Sequence, residues 1–440
     1  MEAQISHYIR TASCLHLTHR TNRSSYDTSW EKADYIDKTD SDFGLSSLGW
    51  AANNGEVEVV RVLLDRRANV EPQGIPPLHC AVSNGHIEVV KLLLNRGANV
   101  EVRNIYELSV LHIAVKRRRD KEMVKLLVKM GANVDALGPG GCSPLHWAAM
   151  QGDKEMLKLL VKIGANLDME NTDGYSVLHS AISSRIPILR RWNVAKKRWV
   201  PTDHCYNTVR SKEFLEIAKY LLDEGASLEK PLSTKKGFPI HAAVRTGHVE
   251  MVKLLLDYGA SIETLDKDGR SALGCAASHL SSSEFSEWRD MVNLLVDRGT
   301  KFEAANMVSP LYLAAIKGHV EMVDLLLAKG ANVNAESLHG RLPLVAAAAR
   351  GHLDAAKVLL AKGAKVNAYS NTRAHWSPLF AAARYGRVEM VKFLLNVGAK
   401  AEGVREKKGI SLQDYVRLVH AEERDSDQRE RLSEIVSILG

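Results

Sequence analysis

The stretch 143–166 reads SPLHWAAMQGDKEMLKLLVKIGAN and predicts two short helices. The first is expected to begin at Ser143, because serine caps helix N-termini and the following Pro144 suits the first helical position. It is expected to end at Gly152. The second carries apolar residues at helical spacing, so one of its faces must be buried. It is expected to end at Gly164, since glycine readily takes the left-handed conformation that closes many helices.

The same unit recurs along the chain. The end of the second helix, two aliphatic residues followed by x-x-G-A, occurs ten times when one copy with Arg67 in place of the glycine is included. Seven of the nine successive spacings lie between 30 and 35 residues, and the two longer ones indicate insertions. A chance hydrophobic pattern does not keep phase over such a length. The last residue of the pattern, alanine or in one case threonine, falls at Ala68, Ala98, Ala132, Ala165, Ala226, Ala260, Thr300, Ala331, Ala364 and Ala399.

This unit resembles the ankyrin repeat, which begins T-P-L-H-x-A and has a period of 33 residues. The resemblance covers residues 43–403. It implies an all-α fold, an ankyrin-repeat solenoid of paired antiparallel helices with β-turn or hairpin fingers. Phrases such as GLSSLGWAANNGEVEVV are similar to the large intracellular multi-repeat families that abound in fungi.

The sequence predicts three parts in one curved stack. Residues 1–42 are expected to form a degenerate N-terminal repeat or cap, because terminal repeats are often atypical. Residues 43–403 are expected to hold ten repeats, with a 28-residue insertion near 183–212 in repeat five that is too polar for another repeat but could hold a short helix. Residues 404–440 are expected to form a C-terminal capping repeat of two helices joined by the solvent-facing AEERDSDQ. The eroded start is also compatible with a piece of a once longer gene product.

Composition places the protein inside the cell, in the cytoplasm, the nucleus or both. No apolar run approaches the roughly 20 residues of a membrane span, and the N-terminus lacks the apolar core of a signal peptide. The net charge is +7, which alone indicates only weak attraction to anionic partners. The five cysteines lack C-x-x-C or zinc spacing, so we expect reduced, structural thiols. They are Cys14, Cys80, Cys142, Cys205 and Cys275.

Nothing in the sequence indicates a catalyst, a metal or a cofactor. There is no phosphate-binding loop and no nucleophile elbow. One histidine per repeat invites a metal or catalytic interpretation, but all occupy the histidine of the repeat motif, where the resemblance implies a structural role. An enzyme hidden in the insert is disfavoured, because about 28 residues cannot build a site alone and His204 with Cys205 is a lone pair. The motif histidines are His79, His112, His146, His179 and His241.

The resemblance implies binding through the turns, called fingers, and through the exposed face of the first helices, called the palm. Two palm positions follow the small-residue pair of each first helix. Of these twenty positions six are basic and none is acidic, which suggests an electropositive concave groove for an acidic partner. Alternatively, long basic side chains simply solvate a helix edge. The candidate palm residues are Lys116, Arg117, Arg245, Lys317, Arg350, Arg384 and Tyr385.

Apolar finger residues are further candidate contacts, because binding hot spots favour aromatic side chains. The alternative is that they pack finger against finger. The candidates are Phe43, Ile105, Tyr106, Tyr175, Phe238 and Trp376, with Leu45 and Leu108 beside them.

Two basic clusters in helix-to-helix loops of repeats three and five form a predicted basic edge, since stacking would put both loops on one side. A solvated loop, a nuclear import signal and a nucleic-acid contact all remain open. The basic-edge residues are Arg118, Arg119, Arg190, Arg191, Trp192, Lys196, Lys197, Arg198 and Trp199.

These observations together predict a non-catalytic scaffold or adaptor that binds a protein partner on its concave face and finger turns. The alternative is a nuclear or nucleic-acid-associated regulator that uses the basic edge. Fold-level analogy carries much of this prediction, because the fold hosts many partners and names none. The sequence leaves open the identity of the partner, the pathway and the oligomeric state.

Overall fold

A computed structural model of the chain shows two compact units, Met1–Ser227 and Leu228–Gly440. The predicted N-terminal cap lies almost wholly outside the described residues, as do Phe43, Arg118, Arg119, Lys196 and Lys197. The structure describes residues 37, 39, 44–117, 120–182, 190–193, 198–201, 211–229, 237–278, 285–303, 306–338, 340–369, 376–401, 411–422 and 425–439.

The described residues of the first unit form five pairs of helices. The first helix of each pair packs beside the first helix of the next, from α1 to α9. The helices are α1 (Ser47–Asn54), α2 (Val57–Asp65), α3 (Pro77–Asn84), α4 (Ile87–Asn95), α5 (Val110–Lys116), α6 (Lys121–Lys129), α7 (Pro144–Gln151), α8 (Lys154–Lys162), α9 (Val177–Ile182) and α10 (Ser211–Asp223).

The described residues of the second unit form six pairs of helices with the same internal packing. First helices pack on first helices from α11 to α21, and second helices pack on second helices from α12 to α22. The helices are α11 (Pro239–Arg245), α12 (Val249–Asp257), α13 (Ala272–Ser278), α14 (Phe285–Asp297), α15 (Pro310–Lys317), α16 (Val320–Ala328), α17 (Pro343–Arg350), α18 (Leu353–Ala361), α19 (Pro378–Arg384), α20 (Val388–Asn396), α21 (Leu412–Glu422) and α22 (Ser426–Leu439). The predicted all-α, paired-helix fold is thereby confirmed.

Within the insert between α9 and α10, the structure describes two short strands, and the remaining residues of the insert lie outside the described ranges. Strand β1 (Arg190–Asn193) pairs antiparallel with β2 (Arg198–Pro201), so that Trp192 lies opposite Trp199. Tryptophan and valine favour strands, and a proline cannot continue a helix interior. Local residue preference therefore accounts for the two described strands.

The helix ends follow the predicted capping chemistry. The Ser143 hydroxyl accepts a hydrogen bond from the backbone N–H of His146, and α7 ends at Gly152 with φ 73°. Because left-handed backbone strains most side chains, the same conformation at Glu107, with φ 60°, is unusual. Glu107 stands where other repeats have glycine, and its turn forms nonetheless.

The core is built from the same positions in every repeat. The motif leucine, the small pair that follows it and the aliphatic face of the second helix are buried throughout the described repeats, as at Leu145, Ala148 and Leu160. One repeat cannot enclose these groups alone, so burial requires the neighbouring repeat. Truncating such a leucine to alanine costs about 2–5 kcal/mol in other proteins.

Polar side chains connect successive repeats at the turn after each second helix. The backbone N–H of Asn99 donates to Glu71 Oε1 over 2.7 Å, and that of Asn133 donates to Glu101 Oε1 over 2.7 Å. The second unit repeats this link, for example from Lys301 N to Glu263 Oε1 over 3.0 Å. These acidic side chains therefore link successive repeats by hydrogen bonds.

The C-terminal pair differs from its predicted boundaries. Helix α21 runs to Glu422 and α22 already begins at Ser426, so most of the predicted linker AEERDSDQ is helical. The Asp425 carboxylate accepts a hydrogen bond from the backbone N–H of Asp427 over 3.0 Å and so caps α22. Aspartate is a strong N-cap residue, and this explains why the helix starts early.

Candidate functional site

The motif histidines join one repeat to the next. Nε2 of His112 lies 2.9 Å from the Cys142 carbonyl oxygen, and Nε2 of His146 lies 3.0 Å from that of Tyr175. His241 makes the same link to Thr264 over 3.1 Å. These rings are buried. They therefore serve as cross-repeat hydrogen-bond donors in the neutral state, which agrees with the structural role expected of them.

Burial controls the protonation of these histidines. Desolvation lowers the pKa of His112 to about 4, and it is the largest cause of the same lowered value, about 4, for His241. Burial also lowers the pKa of His79 and of His146. The unfolded chain therefore binds protons more readily than the folded one below about pH 6.5. Lowering the pH is therefore expected to lower the free energy of unfolding of the repeat stack.

Three predicted palm residues of the second unit lie at the ends of successive first helices. Lys317, Arg350 and Arg384 are the last residues of α15, α17 and α19. We call these three residues the palm of unit 2. Because α15, α17 and α19 pack in that order, and packed helices lie about 8–10 Å apart, the palm forms a row of positive charge.

No acidic side chain in the described residues forms an ion pair or hydrogen bond with these three cations. The second helices show the opposite pattern. There Lys362 pairs with Asp324 over 3.2 Å, and Lys392 pairs with Glu434 over 2.9 Å. The protein therefore neutralises many basic groups on its second helices and leaves the palm of unit 2 uncompensated.

The neighbouring histidines respond to this charge. The pKa of His319 is lowered, first by burial and then by the nearby Lys317 cation. Burial also lowers the pKa of His352, and the Arg387 and Arg350 cations contribute in the same direction. Lys317 and Arg350 of the palm thus contribute to these shifts, and Arg387 contributes from outside the palm.

Arg245, a further predicted palm residue, has a different environment. Its Nη1 lies 3.8 Å from Oδ2 of Asp266, whose side chain is only 4% exposed. The Cys275 thiol donates to the same carboxylate oxygen over 3.6 Å. This arginine compensates a buried charge inside the repeat stack, so its cation is not left free for a partner.

Arg384 is surrounded by aromatic rings. Its guanidinium carbon lies 5.1 Å from the centre of the Trp376 indole, 5.4 Å from that of Tyr415 and 5.9 Å from that of Tyr385. Trp376 itself packs on Leu342 and its neighbours. A predicted finger residue and two predicted palm residues thus form one cluster, together with a residue of the C-terminal pair.

In the first unit, the palm candidates Lys116 and Arg117 are exposed. Lys116 is the last residue of α5, and Arg117 is its C-cap. Helix C-termini favour positive charge, so this position is electrostatically satisfied even without a partner.

The finger candidates separate into three groups by exposure. Ile105 is 70% exposed and Tyr106 is 39% exposed, as expected for contact residues. Tyr175 and Phe238 are half-buried, with rings 6.2 Å and 6.0 Å from the motif histidine of their own repeat. Leu45 and Leu108 are buried. The last two support the core and are not exposed as the finger pattern suggested.

The basic-edge candidates are described only in part. The backbone of the β1–β2 hairpin carries Arg190, Arg191 and Trp192 in one strand and Arg198 and Trp199 in the other. The structure describes the backbone of these five residues and not their side chains.

The described ranges contain neither a cluster of metal ligands nor a membrane-spanning helix. No three His, Cys, Asp or Glu side chains there are grouped to hold a metal ion. Cys80, Cys142 and Cys275 are free and buried, and burial raises the pKa of Cys80 and of Cys275 to about 12. None of the helices in these ranges has the length and apolar character required to span a bilayer.

Two residues that determine the palm environment were not singled out from the sequence. Asp266 neutralises Arg245, and Tyr415 contributes a ring to the Arg384 cluster. Asp266 could have been found by aligning the residues that begin each finger turn. Asn104, Asn171 and Ser337 take that place in other repeats, and among these described fingers only Asp266 brings a charge.

Comparison with known proteins gives one family match over most of the chain. A family model described as ankyrin repeats in three copies matches residues 16–104, 111–191, 207–306, 285–370 and 311–405.

Individual relatives share only part of their length with this chain. A B-cell lymphoma 3 protein homolog of Mus musculus is 35% identical over a match covering 23% of this chain and 30% of that protein. The E3 ubiquitin-protein ligase XBAT33 of Arabidopsis thaliana is 32% identical over 28% of this chain and 23% of that protein. A crystal structure of the ankyrin repeat domain of Bcl-3 is 26% identical, with a TM-score of 0.45, and covers 58% of this chain and 99% of that one.

Proposed function

This chain belongs to the ankyrin-repeat family, and from that premise we propose that it is a non-catalytic adaptor whose unit-2 palm binds an acidic segment of a protein partner. The observation that carries the proposal is the row formed by Lys317, Arg350 and Arg384, which no acidic side chain of the described residues neutralises. Complementary charge across an interface increases specificity and association rate. The row offers that charge at defined intervals.

The spacing of the row specifies the form of the partner segment. The first helices that carry the three cations lie about 8–10 Å apart. An extended chain rises about 3.3 Å per residue, so carboxylates three residues apart match the row. A segment with glutamate or aspartate at every third position is the expected ligand.

A defined peptide tests the proposal without knowledge of the natural partner. The probe is a fluorescein-labelled, C-terminally amidated (Glu-Ser-Ser)₄ peptide, measured by fluorescence anisotropy at salt concentrations of about 10 mM and about 150 mM. Its glutamine counterpart is the negative control. We expect the acidic peptide alone to bind, and its affinity to fall as salt rises.

A matched pair of charge variants locates the binding site. The palm variant carries Lys317→Gln, Arg350→Gln and Arg384→Gln. The control variant removes three positive charges on or beside second helices, at Lys253, Lys329 and Lys357. Each exposed charge pair contributes about 0.2–1 kcal/mol, so the palm variant should bind roughly tenfold more weakly. Equal losses in both variants, or no binding of the acidic peptide, would contradict the proposal.

A second candidate function uses the insert of repeat five. Its hairpin brings two tryptophans and three arginines into four residue pairs, a composition suited to single-stranded nucleic acid. The test is to measure oligothymidine binding by the palm variant and by a chain without residues 183–210. Unchanged binding by the first and lost binding by the second would favour the regulator. Free, buried Cys80, Cys142 and Cys275 support placing either function in the cytoplasm or the nucleus.

A further inference from the structure

Arg384 is held differently from the other two cations of the unit-2 palm. Three rings, from Trp376, Tyr385 and Tyr415, lie with their centres within 5.9 Å of its guanidinium carbon. The Phe380 ring lies 4.8 Å from Tyr415 and 6.0 Å from Trp376, which links the rings into one cluster. Ring faces attract a guanidinium and limit its motion. Lys317 and Arg350, by contrast, are exposed.

The same cluster contains hydrogen-bond donors without acceptors. Nε of Arg384 and Nε1 of Trp376 are both enclosed by protein and have no hydrogen-bond partner among the described residues. The terminal nitrogens of Arg384 likewise make no hydrogen bond or ion pair within the described part of the chain, and they are not enclosed. Buried donors are normally satisfied. The cluster therefore keeps a cation in place while leaving its hydrogen-bonding capacity unused.

We propose that Arg384 is the anchor of the palm, where a single carboxylate of the partner binds its guanidinium through two parallel hydrogen bonds. The proposal rests on the palm of unit 2 being the binding surface. Arginine presents a planar fork that matches a carboxylate, and rings that restrict the fork reduce the entropy lost on binding. Tyr385, 41% exposed, offers a ring to the partner residue beside that carboxylate.

Exchange between arginine and lysine separates this proposal from simple charge attraction. Arg384→Lys keeps the charge but loses the fork, and Arg350→Lys makes the same exchange at an exposed palm position. With the acidic peptide described above, we expect Arg384→Lys to weaken binding about tenfold and Arg350→Lys to weaken it less than about twofold. Unchanged near-ultraviolet circular dichroism shows that each variant keeps its packing.

A second measurement reads the site directly. In protein with ¹⁵N-labelled tryptophan, the indole N–H signal of Trp376, assigned with Trp376→Phe, should shift when the peptide binds. The indole signals of Trp147 and Trp288, in other repeats, should not. An unshifted Trp376 signal in a saturated complex overturns the anchor.

Two further comparisons complete the test. One distinguishes a side-chain carboxylate from a terminal carboxylate, and the other distinguishes failure of the anchor from failure of the proposed function. The amidated acidic peptide supplies only side-chain carboxylates, and a (Gln-Ser-Ser)₄ peptide with a free C-terminus supplies only the terminal one. Arg384-dependent binding of either supports the anchor and identifies the source. If the acidic peptide binds the palm but Arg384→Lys behaves like Arg350→Lys, the anchor is wrong and the proposed function stands. If no carboxylate peptide binds, or oligothymidine alone depends on Arg384, both are wrong.

Discussion

Arg245 and Arg384 occupy the same position of two repeats, and their surroundings are opposite. Each ends its first helix after a run of small or aliphatic residues. Arg245 lies 3.8 Å from a carboxylate that is 4% exposed, whereas Arg384 has no acidic neighbour in the described residues and lies among three rings. The motif position therefore determines where an arginine stands but not whether its charge is available to a partner.

The residue that begins the next finger decides this difference. Asp266 takes that place after Arg245 and uses its other oxygen, Oδ1, to accept from the backbone N–H groups of Asp268 and Arg270, each over 2.9 Å. In other repeats an amide oxygen makes these two turn bonds, as Asn171 does with Asp173 and Tyr175. An acid is therefore not required for the turn. The charge of Asp266 has a separate effect, which is to neutralise Arg245.

Replacing each of the two arginines by glutamine is expected to have its largest effect on the free energy of unfolding. Arg245→Gln leaves the Asp266 carboxylate buried without its cation, and losses of this kind cost about 3–5 kcal/mol in other proteins. Since two backbone N–H groups still bind this carboxylate, we expect the free energy of unfolding to fall by about 2–4 kcal/mol. Arg384→Gln leaves no buried charge, and we expect less than about 1 kcal/mol. Urea unfolding followed by circular dichroism gives both values.

The double variant Arg245→Gln with Asp266→Asn serves as the control for this effect. It removes both charges and keeps the turn bonds, so it should recover most of the stability that Arg245→Gln loses. Equal destabilisation by the Arg245 and Arg384 variants would show that the ion pair has no special role.

A smaller effect concerns the titration of His241, which lies beside the ion pair. Burial lowers its pKa to about 4, the Asp266 charge raises it and the Arg245 charge lowers it. Asp266→Asn should therefore lower the pKa further, and Arg245→Gln should raise it. The imidazole carbon-bound proton signals followed by NMR against pH give the values. His112, in the first unit, should titrate unchanged in both variants.

The sign of the associated stability change follows from the same shift. The folded pKa of His241 lies below its ordinary value of 6.5, so its neutral form stabilises the fold above about pH 6.5, and that stability is lost as pH falls toward 4. At about 1.4 kcal/mol per pKa unit, the loss is on the order of 3 kcal/mol. A His241 pKa that stays fixed in both variants would contradict the electrostatic account.

The repeat pattern predicted what is local and periodic. The Ser143 cap, the turn at Gly152 and the buried leucines all follow from spacing and propensity along a single repeat. The environments of Arg245 and Arg384 did not follow, because they depend on side chains that arrive from the next repeat. Asp266 lies in the next finger, and Tyr415 lies in the C-terminal pair beyond a segment of irregular sequence. The position of a residue in the repeat therefore predicts where that residue lies in the fold. It does not predict which side chains surround it.

The smallest expected effect is on binding. Asp266→Asn keeps the turn bonds and removes the carboxylate charge beside Arg245, so the charge at this first-helix end becomes more positive by one unit. We expect the affinity for the acidic peptide to rise about threefold at a salt concentration of about 10 mM, and the gain to shrink at about 150 mM because salt screens exposed charges.

Asp257→Asn is the matched control, since it removes one acid from a second-helix pair with Arg298 and changes the net charge equally. If both variants gain equally, total charge and not the palm controls binding. A gain confined to Asp266→Asn would show that one finger residue determines whether a repeat contributes to the binding surface.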